Sequence, residues 1–217
     1  MNVSEAVTAR RSIRRFKDKP VDDALVRSLL EKSSRAPSGG NVQPWRIFVI
    51  QSETMPRFLE HLAANPEQGP PEYPIYPAEL KSPYRDSRFK VGEDMYAKLG
   101  IAREDKGARV GHLMRNFSFF DAPTAFFCYV DRIMGPPQWS DLGMFLQTFM
   151  LLAQEAGLDT CPQEAWANRS DAVRSFVEPG DDLMLFCGMA IGYKDDEAPV
   201  NTLLSDRAPI DEWARFL

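Results

Sequence analysis

Three arginines and one serine lie within five residues near the start of the chain. They are Arg10, Arg11, Ser12 and Arg14. Guanidinium groups bind phosphate through paired hydrogen bonds, and a serine hydroxyl adds a further donor. Because the whole chain is acidic, with a net charge of -5, this basic cluster is a local feature. We expect it to bind a phosphate group; the alternative interpretation is a solvated surface patch.

A second segment, residues 36–45, is broken by prolines and glycines and carries uncharged polar side chains. Its candidate ligand-contacting residues are Pro37, Ser38, Gly39, Asn41 and Gln43. Glycines let a backbone come close to a flat ligand. Amide side chains both donate to and accept from a heteroaromatic edge. Together the two segments describe a site for a planar ring system that ends in a phosphate, and FMN fits that description.

The amino-acid sequences and the order of these segments resemble those of the nitroreductase family of FMN-dependent oxidoreductases. The likeness extends over nearly the whole chain in four blocks, which are more specific together than any one of them alone. The blocks are Arg10-Arg11-Ser12-x-Arg14-x-Phe16, Ala36 to Trp45, Gly157 to Glu164, and Asp206-Arg207-x-Pro209. The resemblance implies an α+β (mixed α/β) fold: a central, mostly antiparallel sheet flanked by helices, in a homodimer with a domain-swapped C-terminal tail.

The resemblance also implies how the phosphate end of FMN would be held. The implied phosphate and ribityl anchors are Arg10, Ser12 and Arg207, with Arg11 and Arg14 in support. Ser205 departs from the family pattern, because many relatives have a second basic residue two positions before the residue equivalent to Arg207. One charge partner of the phosphate is therefore missing there, and the N-terminal arginines would compensate.

Around the flavin ring, the resemblance implies contacts from both subunits. Pro162, Gln163 and Glu164 would line one face or edge of the ring, with backbone N–H groups near N5, where donors tune the flavin. Asp141 would also face the flavin. Residues 36–45 of the other subunit would cover it. No protein acid or base is required, because flavin and solvent supply the protons, so we expect no catalytic side chain.

The implied activity is reduction of nitroaromatic or quinone-like small molecules by NAD(P)H, through a ping-pong hydride transfer. The chain has no dinucleotide-binding G-x-G-x-x-G segment, so a nicotinamide would share the flavin's pocket. The alternatives are a flavin-fragmenting or reductively dehalogenating enzyme of the same fold, or a non-catalytic flavin-binding protein. The acidic charge argues against nucleic acid as a partner.

The remaining reactive side chains favour no competing chemistry. His61 and His112 lie in helix-like stretches without a second metal ligand nearby, so we expect both to be exposed or lightly paired, and we expect no metal site. Three widely spaced cysteines are typical of free thiols in a reducing cytoplasm. Cys161 lacks a nearby histidine base, which favours packing over a nucleophilic role. No apolar run is long enough to predict a membrane span.

The elements that position these residues follow from hydrophobic periodicity. We expect one domain over 1–217 with a C-terminal extension at 194–217. The pattern predicts strands over 46–50, 125–130 and 183–193. It predicts helices over 3–9, from Asp22 to before Pro37, over 54–64, over 93–120, over 141–156, and from Asn168 to Val177. Ser52 and Asn168 are the predicted caps of the third and the last of these helices, and the helix over 93–120 is expected to break near Gly100.

Residues 65–88 change character and form a predicted irregular arm. The arm has six of the chain's 17 prolines, interleaved with three tyrosines, Tyr73, Tyr76 and Tyr84. Two interpretations are balanced. The arm is either a surface loop or a cover over the binding site, because long ordered loops are often functional.

Overall fold

A four-stranded antiparallel sheet, in the order β1-β2-β4-β3, forms the centre of the computed structural model, which describes residues 1–217. The strands are β1 (Arg46–Ile50), β2 (Thr124–Asp131), β3 (Asp159–Gln163) and β4 (Leu183–Gly192). The three predicted strands are confirmed. β3 was not predicted as a strand because it is short and contains Pro162. A proline is tolerated there because β3 lies at the edge of the sheet.

Seven helices surround the sheet, together with short 3₁₀ turns. They are α1 (Val3–Ala9), α2 (Asp23–Ser33), α3 (Met55–Ala64), α4 (Tyr84–Lys98), α5 (Lys106–Met114), α6 (Pro136–Glu155) and α7 (Ser170–Val177). α6 begins five residues before its predicted start. Its first residue is a proline, which is tolerated there because the N–H of a first helical residue has no hydrogen-bond partner within the helix. It ends before Gly157, which adopts the left-handed backbone that stops a helix.

The sheet separates two apolar layers. Alternate residues of β2 point to opposite faces, so Phe127 and Tyr129 join the layer under α3 and α7. Phe126 and Cys128 join the layer under α2 and α6. β2 is therefore buried along nearly its whole length, as its continuous apolar run predicts. None of the seven helices is both long and apolar enough to cross a membrane.

Two predicted helix caps are wrong. Ser52 does not cap α3; its hydroxyl instead pairs with that of Thr124 at 2.8 Å. Asn168 does not cap α7; its side-chain amide donates to the carbonyl of Ala165 at 3.2 Å. Both side chains bind a partner that the local sequence pattern does not identify.

Two further expectations need correction. α4 begins at Tyr84, so the irregular stretch ends at Pro83 and residues 84–88 are helical. His112 is buried and not exposed, and its Nε2 atom has no hydrogen-bond partner. Burial, followed by the charges of Arg115 and Arg14, lowers the pKa of His112 to about 4, so the ring is neutral at pH 7. His61 is paired, as expected, and contacts the carbonyl of Ala172 at 3.0 Å.

Candidate cofactor site

Backbone hydrogen bonds on two sides hold the arginine-rich segment, residues 10–14. On one side, the Ile13 N–H donates to the carbonyl of Thr160 in β3 at 3.0 Å. On the other side, the side chain of buried Asn201 accepts from the Arg14 N–H at 2.9 Å and donates to the Arg15 carbonyl at 2.8 Å. These contacts hold the segment mainly through its backbone. Among the arginine side chains, Arg14 Nη1 also donates to the Ser12 carbonyl at 3.2 Å.

A cavity of about 590 Å³ opens beside this segment, between α1, α4, α6 and the C-terminal extension. Its volume is in the usual range for a small-molecule site. The five predicted phosphate and ribityl ligands all line it: Arg10, Arg11, Ser12, Arg14 and Arg207. The fold thus brings residues from the two ends of the chain to one site.

The cavity is strongly electropositive because its arginines have no acidic partner. None of its four guanidinium groups forms an ion pair within the chain. Burial, and then the nearby charge of Arg207, lowers the pKa of Arg10. The Nε atom of Arg11 is buried without a hydrogen-bond partner. Unpaired guanidinium groups facing one cavity are suited to a phosphate monoester such as that of FMN.

Ser205, the departure from the family pattern, orients Arg207. Arg207 Nη1 donates to the hydroxyl of Ser205 at 2.8 Å and to its carbonyl at 3.1 Å. The same nitrogen lies 2.7 Å from the carbonyl of Asp206. The position that lacks a second cation therefore carries a hydroxyl that helps to fix the one cation present.

The end of β3 does not line this cavity within one chain. Gln163 is buried, and its amide donates to the Asn116 carbonyl at 2.9 Å and accepts from the Trp166 indole at 3.4 Å. Its side chain is thus engaged inside the protein, so any contact with a flavin would come from its backbone. Pro162 is half-buried and Glu164 is exposed.

Residues 36–45 also lie outside the cavity. Pro37, Gly39, Asn41 and Gln43 are exposed and Ser38 is half-buried. The loop has a defined shape, because the Gln43 N–H donates to the Ser38 hydroxyl at 3.0 Å, and Asn41 and Gln43 have φ values of 57° and 50°. Left-handed backbone at non-glycine residues is costly and often occurs at functional sites. Its position leaves the loop available to a second copy of the chain.

Asp141 holds this loop. The carboxylate is buried in α6 and lies within reach of the Gly39 N–H, with N···O distances of 3.3 and 3.4 Å. Its contact is therefore with the backbone of the loop. The expected contact of Asp141 with a flavin stays a prediction.

A second cavity, of about 630 Å³, adjoins the first and shares Val91, Ser205 and Arg207 with it. Tyr76 and Tyr84 line this second cavity and are exposed. Tyr73 does not line it. The Tyr73 ring packs against Trp139, and its hydroxyl donates to the carbonyl of Phe186. The arm is thus anchored to β4 through Tyr73, while Tyr76 and the start of α4 reach the candidate site.

Three residues at or beside the site were not predicted from the sequence: Asn201, Gln147 and Lys90. Gln147 projects into the first cavity from α6. Lys90 of α4 pairs with Asp206 of the extension at 2.8 Å. Gln147 gave a signal, since it is a polar residue in an apolar helix. The other two gave none, because their roles depend on partners far away in sequence.

Comparison with known proteins gives a consistent result. The model of the nitroreductase family matches residues 7–193. The nitrobenzene nitroreductase of Ectopseudomonas oleovorans is 34% identical over 99% of this chain and 96% of its own length. The iodotyrosine deiodinase of Thermotoga neapolitana is 26% identical over 88% of this chain and 87% of its own length. The crystal structure of the FMN and NADPH-dependent nitroreductase NfnB from Sphigopyxis sp. strain HMH superposes on this chain with a TM-score of 0.95. The two sequences are 46% identical, and the match covers 100% of this chain and 99% of that one.

Proposed function

Because this chain belongs to the nitroreductase family, we propose that it is an FMN-dependent NAD(P)H oxidoreductase that reduces small nitroaromatic compounds. The observation that carries the proposal is the cavity lined by four arginines without acidic partners, at the positions that the family resemblance assigns to the phosphate. Two nitroreductases, at 46% and 28% identity, are described as NADPH-dependent or in complex with NADPH, which favours NADPH as the electron donor here.

The residues of the cavity fit the chemistry of FMN. Bound FMN would supply the hydride-transfer chemistry that links the nicotinamide to the acceptor. The protein's task is to hold and orient that group. Arg10 and Arg207 bind the phosphate, and the Ser12 hydroxyl adds a hydrogen bond. Residues 162–164 present backbone groups to the ring, and the 36–45 loop of a second subunit covers it.

Nitroaromatic reduction is favoured over reductive dehalogenation. The nitrobenzene nitroreductase is more similar to this chain, and over a larger share of it, than the iodotyrosine deiodinase. The free, buried state of all three cysteines accords with a cytoplasmic location.

The proposed function is tested first by the bound chromophore and its reduction. The purified protein is expected to be yellow and to release FMN, not FAD, on denaturation. NADPH added without oxygen is expected to bleach the flavin, and nitrobenzene is expected to restore its colour faster than a halo-aromatic compound does. A colourless protein that takes up no FMN contradicts the proposal. A flavin that is bound but not reduced by NADPH or NADH indicates a binding protein.

The apolar surface of the C-terminal extension supports a homodimer with shared sites. Trp213 and Phe216 near its end are 69% and 82% exposed, and Leu217 is fully exposed. β1 lies at the sheet edge, with one side free to pair with another strand. We propose that each extension covers the other subunit and that each 36–45 loop completes the other subunit's flavin site.

Light scattering is therefore expected to give twice the 24.6 kDa chain mass at micromolar concentration. A variant ending at Ile210 keeps Arg207 but loses the apolar end of the extension. It is expected to dissociate more readily and to lose flavin as it does so. A full-length protein that is monomeric and fully loaded with FMN contradicts the shared-site arrangement.

The two tyrosines of the second cavity are expected to influence acceptor choice. Tyr76→Ala and Tyr84→Ala remove flat, amphipathic surface suited to an aromatic compound, and should change the ranking of nitroaromatic acceptors by kcat/KM. FMN content should change little, because Arg10, Arg11 and Arg14 line the first cavity and not the second. Tyr73→Ala is the contrasting variant. Its ring is an anchor of the arm, so it should lower stability more than the other two. An unchanged ranking in both cavity variants would assign specificity to other residues.

A further inference from the structure

Lys90 links α4 to the segment that carries Arg207. Its Nζ lies 2.8 Å from Oδ2 of Asp206 and 2.7 Å from Oδ2 of Asp94, one turn along the same helix. Asp206 immediately precedes Arg207. The two pairings bring the ammonium group to the shared boundary of the two cavities, where Asp94 and Asp206 line the second and Arg207 lines both.

Asp206 is a potential competitor of the phosphate. A carboxylate attracts a guanidinium group with the same paired geometry as a phosphate does. Asp206 is the acid adjacent to Arg207 in the chain, yet Arg207 contacts only its carbonyl, at 2.7 Å, and not its carboxylate. The carboxylate is turned to Lys90 instead. This leaves Arg207 without an acidic partner.

We propose that Lys90 is a positioning residue for the phosphate site, and that it acts by holding the carboxylate of Asp206 away from Arg207. The inference rests on the proposed function, because it takes the phosphate of FMN as the ligand of Arg207. Ser205 has the complementary role. Its hydroxyl lies 2.8 Å from Arg207 Nη1 and orients the guanidinium group, while Lys90 forms an ion pair with the competing carboxylate of Asp206.

The test is a set of variants that remove or exchange charged side chains, measured by flavin-fluorescence titration. Lys90→Gln is expected to raise the FMN dissociation constant about two- to fivefold, the range for one solvent-exposed ion pair. The dissociation constant for riboflavin, which has no phosphate, should not change. Adding Asp206→Asn to Lys90→Gln removes the competing carboxylate and is expected to restore FMN affinity. Lys90→Arg should retain it.

Two matched controls separate this role from a general effect on α4. Arg85→Gln removes another ion pair of the same helix, with Asp86, outside both cavities. Asp94→Asn removes the other partner of Lys90 and leaves Asp206 paired. Neither is expected to change the ratio of FMN to riboflavin affinity. The Lys90→Gln effect should shrink as salt is raised, because exposed charges are screened.

Each outcome bears on the inference. An unchanged FMN to riboflavin ratio in Lys90→Gln overturns it, as does a double variant that stays as weak as Lys90→Gln. Equal losses for FMN and riboflavin would assign Lys90 a general structural role and also overturn it. Failure of the wild-type protein to bind FMN would instead contradict the proposed function, so the two failures are distinguishable.

Discussion

Replacement of Arg10 by alanine is expected to raise the FMN dissociation constant roughly ten- to a hundredfold. A hydrogen bond to a charged group contributes about 1.5–3 kcal/mol, and about 1.4 kcal/mol corresponds to a tenfold change in affinity. Arg10 is half-buried, whereas Arg207 is exposed to water. Solvent therefore screens Arg207 more, and Arg207→Ala is expected to cause the smaller loss of the two.

The chain offers a matched control for Arg10. Arg15 belongs to the same stretch of chain but pairs with Asp121 and does not line the first cavity. Arg15→Ala should leave FMN affinity close to that of the wild type. Riboflavin provides a second control, since Arg10→Ala should weaken FMN far more than riboflavin. Equal FMN affinity in Arg10→Ala and Arg15→Ala would show that the phosphate lies elsewhere.

Gly188→Ala is expected to cause the largest loss of stability. A Cβ atom at Gly188 would lie 2.3 Å from Cδ1 and 2.7 Å from Nε1 of Trp166, a fully buried side chain. Because the rigid, fully buried indole cannot move aside easily, we expect the substitution to lower stability as overpacking of a core does. We expect the free energy of unfolding to fall by about 1–3 kcal/mol, measured by urea denaturation.

The same substitution should also disturb the site. Gly188 pairs with Gln163 across the sheet, and the indole of Trp166 donates to that glutamine at 3.4 Å. Displacement of the indole therefore shifts the end of β3. The control is Gly111→Ala, on the exposed side of α5 with no atom within 4 Å of the added Cβ. It should be neutral or stabilising, because alanine favours helix. A Gly188→Ala protein as stable as Gly111→Ala would contradict this account.

Several features of this protein follow from short-range sequence patterns alone. Continuous apolar runs predicted β2 and most of β4, because a strand covered on both faces needs apolar side chains at every position. The break at Gly100 and the end of α6 at Gly157 followed from the backbone freedom of glycine. Clustered guanidinium groups predicted a phosphate-binding function for residues 10–14, because that chemistry depends on residue type and close spacing; the three arginines do line one cavity, and the function stays a prediction.

Other features depend on contacts that the local sequence does not encode. Ser52 has the residue type of a helix cap, but a hydroxyl 72 positions away binds it instead. Gln163 belongs to a motif that suggests ligand contact, but Trp166 and Asn116 hold its side chain inside the protein. In each case several partners compete for one polar group, and packing decides which is near enough to bind it.

The amino-acid sequence by itself determined the fold class, the family and the residue types that line the proposed phosphate site. Only the tertiary structure decided that Arg10 and Arg207 share one cavity, that Asp141 binds the backbone of the 36–45 loop, and that Lys90 pairs with Asp206. The physical reason is the sequence separation of the residues that interact. Strand and helix patterns arise from neighbours within a few residues, whereas a binding site arises where distant segments meet, and side-chain packing sets the direction of each polar group.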